Sequence, residues 1–185
     1  MKIFAYPEMY KDIAADNLGV MLDYGINFCH IDGDDLFGLF LKSGCAEQFE
    51  NGSPRVLVGM SGVELCRDVL LRSAESVPTA EYPPSLYRSP AYWTGWILSQ
   101  YQWYSCQSFQ DIYSCVKIDD LINLYYPLHE AHEFKTFEVL DKMLCSCGRP
   151  LYNTIDSTGA VIHKSGNASR SSSSLTCFVF HYRER

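Results

Sequence analysis

Apolar residues recur at helical spacing along most of the first 147 residues and predict a series of helices joined by short turns. Two short helices are predicted to begin at Ser108 and Asp119, and longer ones to cover residues 12–28, 36–49, 62–72, 89–104 and 128–144. Glycine, proline, serine and aspartate stand at the joints, where they end one helix or cap the next. No segment before residue 150 alternates as a strand would. We therefore predict an all-α fold, a compact bundle of six to seven helices.

The predicted helix over residues 89–104 contains all three tryptophans of the chain. It starts with a serine-proline pair, which is typical of a cap followed by the first helical position. At about 100° per residue its aromatic side chains fall on one arc and its small and polar ones lie opposite, which predicts an amphipathic helix. The arc favours a central packing helix, with Gly95 allowing a close neighbour. The alternative is that part of the arc, including Trp93 and Tyr104, is exposed and binds a partner.

The last 38 residues differ in composition from the rest of the chain. Six serines occur between positions 165 and 174, which is typical of a flexible segment. Residues 160–163 and 175–182 are apolar enough to pair as short strands. We therefore predict a helical domain over residues 1–147, followed by a serine-rich, cysteine-containing tail over residues 148–185 that is poorly ordered or loosely β.

Negative charge is concentrated in the predicted helical domain. Residues 1–147 contain 20 Asp and Glu against 10 Lys and Arg, whereas the tail contains five basic and two acidic residues. This charge disfavours direct binding to nucleic acid and favours binding to a basic protein surface. The alternative is ordinary solubilising charge. The acidic residues predicted to bind a partner lie on or beside the second long helix and are Asp32, Asp34, Asp35, Glu47 and Glu50.

The eight cysteines are expected to stay reduced and to act as small apolar side chains. The amino-terminal sequence lacks an apolar signal segment, and no apolar run is long enough to cross a membrane. We therefore expect a cytoplasmic protein without membrane contact, in which cysteines stay reduced.

The best metal-ligand candidates are Cys145, Cys147, Cys177 and His181. Cysteine pairs at structural zinc sites are usually separated by two residues, whereas one residue separates Cys145 from Cys147. We expect no bound metal and no cofactor.

Three further motifs resemble sites of chemistry. Residues 32–35 resemble the start of a calcium loop, but the later loop positions do not carry the required ligands, so helix capping is expected. His129 and His132 are spaced to share a helical face, but they match no zinc-enzyme motif and are expected to be solvent-facing or capping residues. Residues 59–62 resemble a nucleophile elbow without the strand that precedes one. We expect no enzymatic activity.

The aromatic block over residues 89–104 resembles a family of small bacterial proteins carried on mobile elements and prophages, and reads Ser-Pro-Ala-Tyr-Trp-Thr-Gly-Trp-Ile-Leu-Ser-Gln-Tyr-Gln-Trp-Tyr. The resemblance extends over residues 8–144 and includes segments 59–65, 108–109 and 126–131. It implies an interaction protein, and the group is identified as including an anti-CRISPR inhibitor of Cas9. Some members resemble the first half of regulators whose second half is a helix-turn-helix. The tail of this chain shows no such module.

The patterns and the resemblance together predict a non-enzymatic, protein-binding inhibitor encoded by a mobile element. Its expected partner is Cas9, which the acidic helices would keep from DNA. The alternative is an antitoxin-like or transcriptional regulatory module that lacks its helix-turn-helix and whose partner is a toxin. The sequence leaves the oligomeric state open, a homodimer included.

Overall fold

The computed structural model describes residues 4–78, 81–82 and 88–149, and these ranges contain ten α-helices and no strand. The all-α prediction is confirmed. In chain order the helices are α1 Lys11–Asp23, α2 Gly33–Lys42, α3 Cys45–Glu50, α4 Pro54–Leu57, α5 Gly62–Arg72, α6 Pro90–Ser105, α7 Phe109–Cys115, α8 Ile118–Asn123, α9 Tyr125–Leu128 and α10 Glu133–Ser146. Within the described part of the chain, no helix has the length and apolar character needed to cross a bilayer. The strand pair predicted for the tail lies outside the described residues.

The most extensive helix contact joins α1 to α6, and the two helices meet at a pair of glycines. Gly95 of α6 lies against the backbone of Leu18, and a β-carbon at Gly95 would be only 2.8 Å from the α-carbon of Gly19. A β-carbon at Gly19 would in turn be 2.9 Å from the carbonyl oxygen of Tyr92. Because neither glycine has a side chain, the two backbones can approach closely. The expected close neighbour of Gly95 is therefore confirmed.

α6 is buried on nearly all sides, so the prediction of an amphipathic helix is wrong. The side predicted to be polar is as buried as the aromatic side and includes Thr94, Gly95, Ser99 and Gln102. The reason is the number of neighbours: α1, α8, α9 and α10 all contact α6. The amino-terminal segment covers its end, where Trp103 stacks on Phe4 with 3.8 Å between ring centroids and donates its indole N–H to the Tyr6 carbonyl at 2.8 Å.

The predicted single helix over residues 36–49 is two helices, α2 and α3. Gly44 separates them because its backbone is left-handed, with a φ of 75°, a conformation that glycine adopts without strain. The apolar faces of both helices still point inward as predicted. Phe37, Phe40 and Phe49 surround Phe109 of α7, with ring centroids 5.6 to 5.9 Å from that of Phe109.

Other helix boundaries also differ from the prediction. The first predicted helix, residues 12–28, is α1 followed by a π-helical turn at Tyr24–Phe28. The predicted helix over residues 128–144 begins only at Glu133, since Leu128 ends the short helix α9. Pro127, expected to mark a break, lies inside α9, where a four-residue helix has no internal hydrogen bond for proline to remove. These breaks and the additional short helix α4 explain why the described residues form ten helices and not the expected six or seven.

Three helix starts have the caps that were predicted for them. Ser61 and Glu64 form a reciprocal capping box at α5, and the Ser89 hydroxyl accepts from the Tyr92 N–H at 3.0 Å at the start of α6. Asp32 accepts from two backbone N–H groups of the first turn of α2, at 3.0 and 3.1 Å. The aspartate-rich turn is therefore a helix cap, as expected.

Candidate partner-binding surface

Acidic side chains from three separate parts of the chain gather around α7 and the start of α8. The start of α2 contributes three of the predicted partner-binding residues and α3 contributes two. α7 and α8 add three acidic residues that sequence reasoning missed. We refer to the whole set as the acidic surface, which consists of Asp32, Asp34, Asp35, Glu47, Glu50, Asp111, Asp119 and Asp120.

The start of α2 is joined to α7 and α8 through Asp34. Its Oδ1 atom accepts from the Ile118 N–H at 2.9 Å, and its carbonyl oxygen accepts from the Tyr113 hydroxyl at 3.2 Å. Burial raises the pKa of Tyr113, and the charges of Asp34, Asp35 and Asp32 raise it further, as expected for carboxylates close to α7. Asp32 and Asp34 thus serve as structural hydrogen-bond acceptors. Asp32 and Asp35 are exposed, and Asp34 is partly buried.

At the other end of the acidic surface, the Glu50 carboxylate of α3 accepts a hydrogen bond from the Phe109 N–H at the first position of α7. Burial raises the pKa of Glu50 to about 7, the Phe109 hydrogen bond opposes that rise, and the charges of Asp111 and Glu47 add to it. Glu50 is therefore about half protonated at neutral pH. Glu50 therefore offers less negative charge to a partner than the exposed Glu47 does.

Basic side chains offset part of the negative charge of the acidic surface. The Lys117 ammonium lies over the Tyr113 ring, 3.7 Å from its centroid. Arg149 pairs with Asp111 Oδ1 at 2.6 Å. The surface contains eight acidic residues against these two cations, so it is negative as a whole.

An open pocket adjoins the acidic surface at Asp35. Its volume is about 400 Å³. The lining combines apolar side chains with charged and polar ones and consists of Ile31, Asp35, Leu39, Lys42, Leu70, Glu75 and Ser76. Asp35 and Glu75 are both exposed, whereas Leu70 is buried. The pocket therefore offers apolar contact area together with two carboxylates and one ammonium.

The two aromatic residues predicted to bind a partner are not prominent on the surface. Trp93 is only 9% exposed and packs edge-on against Tyr125, with 5.7 Å between centroids. Tyr104 is half-buried against Phe134 and Phe137, at 5.6 and 5.1 Å. The interpretation of the aromatic arc as part of the core is confirmed for Trp93, and a partner-binding role for either residue stays a prediction.

A second cleft lies among α6, α9 and α10, and Trp93 borders it. Its volume is about 230 Å³, below the roughly 300–1,000 Å³ typical of small-molecule sites. Its lining comprises Arg88, Tyr92, Trp93, Trp96, Ile97, Tyr125, Leu128, His129, Ala131, Glu133 and Thr136. Arg88 already lies over the Tyr92 ring, 5.2 Å from its centroid, and His129 stacks on Tyr125 at 4.3 Å. These side chains pack against one another, and the cleft does not assemble a catalytic set.

Within the described part of the chain, no three His, Cys, Asp or Glu side chains converge in a way that could hold a metal ion. Cys145 and Cys147 are exposed near the end of α10, and the other two candidates, Cys177 and His181, lie outside the described residues. His132 caps α10, accepting from the Phe134 N–H at 3.4 Å, so its expected capping role is confirmed. The expectation that the protein is not an enzyme stays a prediction.

Comparison of the chain with protein-family models, with curated proteins and with solved structures finds no match. The resemblance to a mobile-element family therefore stays a prediction.

Proposed function

We propose that this protein is a non-enzymatic inhibitor that binds a basic, nucleic-acid-binding surface on a protein partner. Cas9 is the partner that the family resemblance indicates. The observation that carries the proposal is the acidic surface together with the adjoining pocket at Asp35. Residues far apart in sequence supply both of them.

The pocket suits a lysine or arginine side chain of the partner. The aliphatic part of such a side chain would lie on Ile31 and Leu39, which line the pocket, and its cationic end would approach Asp35 or Glu75. Lys42 lines the same pocket and repels a cation, so two carboxylates against one ammonium leave a net charge of one negative in the lining. The carboxylates that border the pocket on α2 extend the attraction over a larger area.

Inhibition would follow from competition for the same cations. A protein channel that holds DNA is lined with lysine and arginine, because neutralising phosphates supplies much of the binding free energy. A negative protein surface seated on those side chains occupies the positions that phosphates need. Such complexes associate rapidly at low ionic strength and weaken as salt screens the charges.

The experiment is a titration of the purified full-length chain against Cas9, alone and loaded with guide RNA, by isothermal titration calorimetry at about 50, 150 and 300 mM salt. We expect stoichiometric binding that weakens at least about tenfold between the lowest and highest salt. An absence of binding at the lowest salt would exclude Cas9 as the partner. Binding that salt leaves unchanged would contradict a mechanism based on charge.

A further inference from the structure

Two cysteine side chains from distant parts of the chain meet where α7 and α10 end. Cys115 is the last residue of α7, and Cys147 directly follows the last residue of α10. The Cys147 Sγ atom lies 4.0 Å from the Cys115 carbonyl oxygen, and the Cys115 side chain is close enough to raise the pKa of the Cys147 thiol. Cys147 is exposed and Cys115 is partly exposed, so a small reagent can reach the pair from solvent.

Arg149 holds the ends of α7 and α10 together independently of the thiols. Its guanidinium pairs with Asp111 at 2.6 Å and donates to the Ser114 hydroxyl at 3.1 Å. The two cysteines are 32 residues apart in sequence, and these contacts fix their approach in the reduced protein. A disulfide requires α-carbons within about 7 Å of each other, and the Cys147 sulfur already lies against the backbone of Cys115.

We propose that Cys115 and Cys147 form a reversible disulfide, which makes the junction of α7 and α10 a modification site for small-molecule disulfides such as oxidised glutathione. The more exposed Cys147 reacts first: its thiolate attacks one glutathione sulfur, forms a mixed disulfide and releases one glutathione thiolate. The Cys115 thiolate then attacks the Cys147 sulfur and releases the second. Two protein thiols lose two electrons, one oxidised glutathione becomes two reduced glutathiones, and the two thiol protons pass to the thiolates released.

The surroundings of the pair affect the rate of this reaction. The Cys115 side chain raises the pKa of the Cys147 thiol, with a smaller contribution from burial, whereas the nearby charge of Arg149 lowers it. Because the thiolate is the attacking species, oxidation is expected to accelerate as pH rises. The same Arg149 pairs with Asp111 of the acidic surface, so the disulfide would form beside that surface without using any of its carboxylates.

The test is to incubate the full-length protein with oxidised glutathione at pH 8 and to map its disulfides by non-reducing peptide mass spectrometry. The variants are Cys115→Ser, Cys147→Ser and, as a matched control, Cys145→Ser, which removes an exposed thiol from the end of the same helix. In wild type and in C145S we expect a linked Cys115–Cys147 peptide, about 2 Da lighter than the sum of its reduced parts. Closing this loop is also expected to raise the melting temperature by about 5 °C or more.

In C115S, oxidation is expected to stop at glutathione attached to Cys147, and in C147S no linked peptide should contain Cys115. A reducing agent should return wild type to its starting mass and melting temperature. The proposal is overturned if wild type carries glutathione on Cys147 to the same extent as C115S, or if Cys147 is linked to another cysteine. Full resistance of wild type to oxidised glutathione would overturn it equally.

Discussion

At Gly95 one missing methyl group determines how closely α1 and α6 pack. A β-carbon there would overlap the backbone of Leu18 and lie 2.8 Å from the Gly19 α-carbon, and backbone atoms cannot move aside as a side chain can. Gly95→Ala is therefore expected to lower the free energy of unfolding by roughly 2–3 kcal/mol. Urea denaturation measures this change.

The matched control is Gly38→Ala in α2, where an added β-carbon has nothing within 4 Å. That change should stabilise the protein by about 0.5–1 kcal/mol, because alanine loses less backbone entropy than glycine when it enters a helix. Equal effects of the two substitutions would contradict the close contact of α1 with α6.

Glu50 makes stability depend on pH. Its pKa is about 7 in the folded protein against 4.5 for an ordinary glutamate, so between these values the folded state holds a proton that the unfolded state releases. Stability contributed by this group therefore falls as pH rises from about 4.5 to 7. Glu50→Gln removes the effect and should stabilise the protein by about 1–3 kcal/mol at pH 8, with little change at pH 4.5.

Thermal unfolding of Glu50→Gln and wild type across pH 4.5 to 8 measures this difference. The control is Glu47→Gln, an exposed change on the same helix, whose effect should stay within about 0.5 kcal/mol throughout. A Glu50→Gln effect of the same size at both ends of the range would contradict the raised pKa. The sequence could not predict this behaviour, because the burial and the Phe109 N–H that set it come from a helix 59 residues away.

Among the helices, the break between α2 and α3 requires the left-handed backbone of Gly44. Its φ is 75°, and an added β-carbon would meet no atom within 4 Å. Gly44→Ala should therefore cost about 1–2 kcal/mol through backbone strain without steric overlap. Gly44→Asn should cost less, because asparagine enters the left-handed region more readily. Chemical denaturation of both variants provides the test, and a smaller loss for alanine than for asparagine would contradict it.

Helix starts could be predicted from the sequence better than helix ends or helix environments. Caps at Ser61 and Ser89 act within their own first turns, so local sequence determines them. The left-handed break at Gly44 was missed because glycine also occurs inside helices, as Gly38 and Gly95 do. The burial of polar residues on α6 was missed because it depends on four neighbouring helices, three of which come later in the chain.

On the scale of the whole molecule, the fold assembles an acidic surface that the sequence indicated only in part. Five of its residues lie in a short stretch and could be predicted from their local density. Asp111, Asp119 and Asp120 join them through long-range contacts such as the hydrogen bond from Ile118 to Asp34, which links residues 84 apart. The pocket at Asp35 likewise needs Leu70 and Glu75 from the region around the end of α5. One-dimensional patterns do not contain such contacts.

The central claim is that the acidic surface and its pocket bind a basic partner. Its most direct test compares two double variants that change the net charge equally: Asp35→Lys/Glu75→Lys at the pocket and Asp12→Lys/Glu130→Lys elsewhere. Asp12 and Asp35 both lie in the first turn of a helix, and Glu75 and Glu130 are both exposed outside helices, so the variants are matched in local context.

The measurement is displacement of labelled target DNA from guide-loaded Cas9 by wild type and by each double variant. We predict that wild type and D12K/E130K displace DNA at similar concentrations, whereas D35K/E75K requires at least about tenfold more, which corresponds to a loss of roughly 1.4 kcal/mol. If both double variants displaced DNA equally weakly, the loss would come from the change in net charge and not from the pocket. Failure of wild type to displace DNA, or full activity of D35K/E75K, would contradict the account.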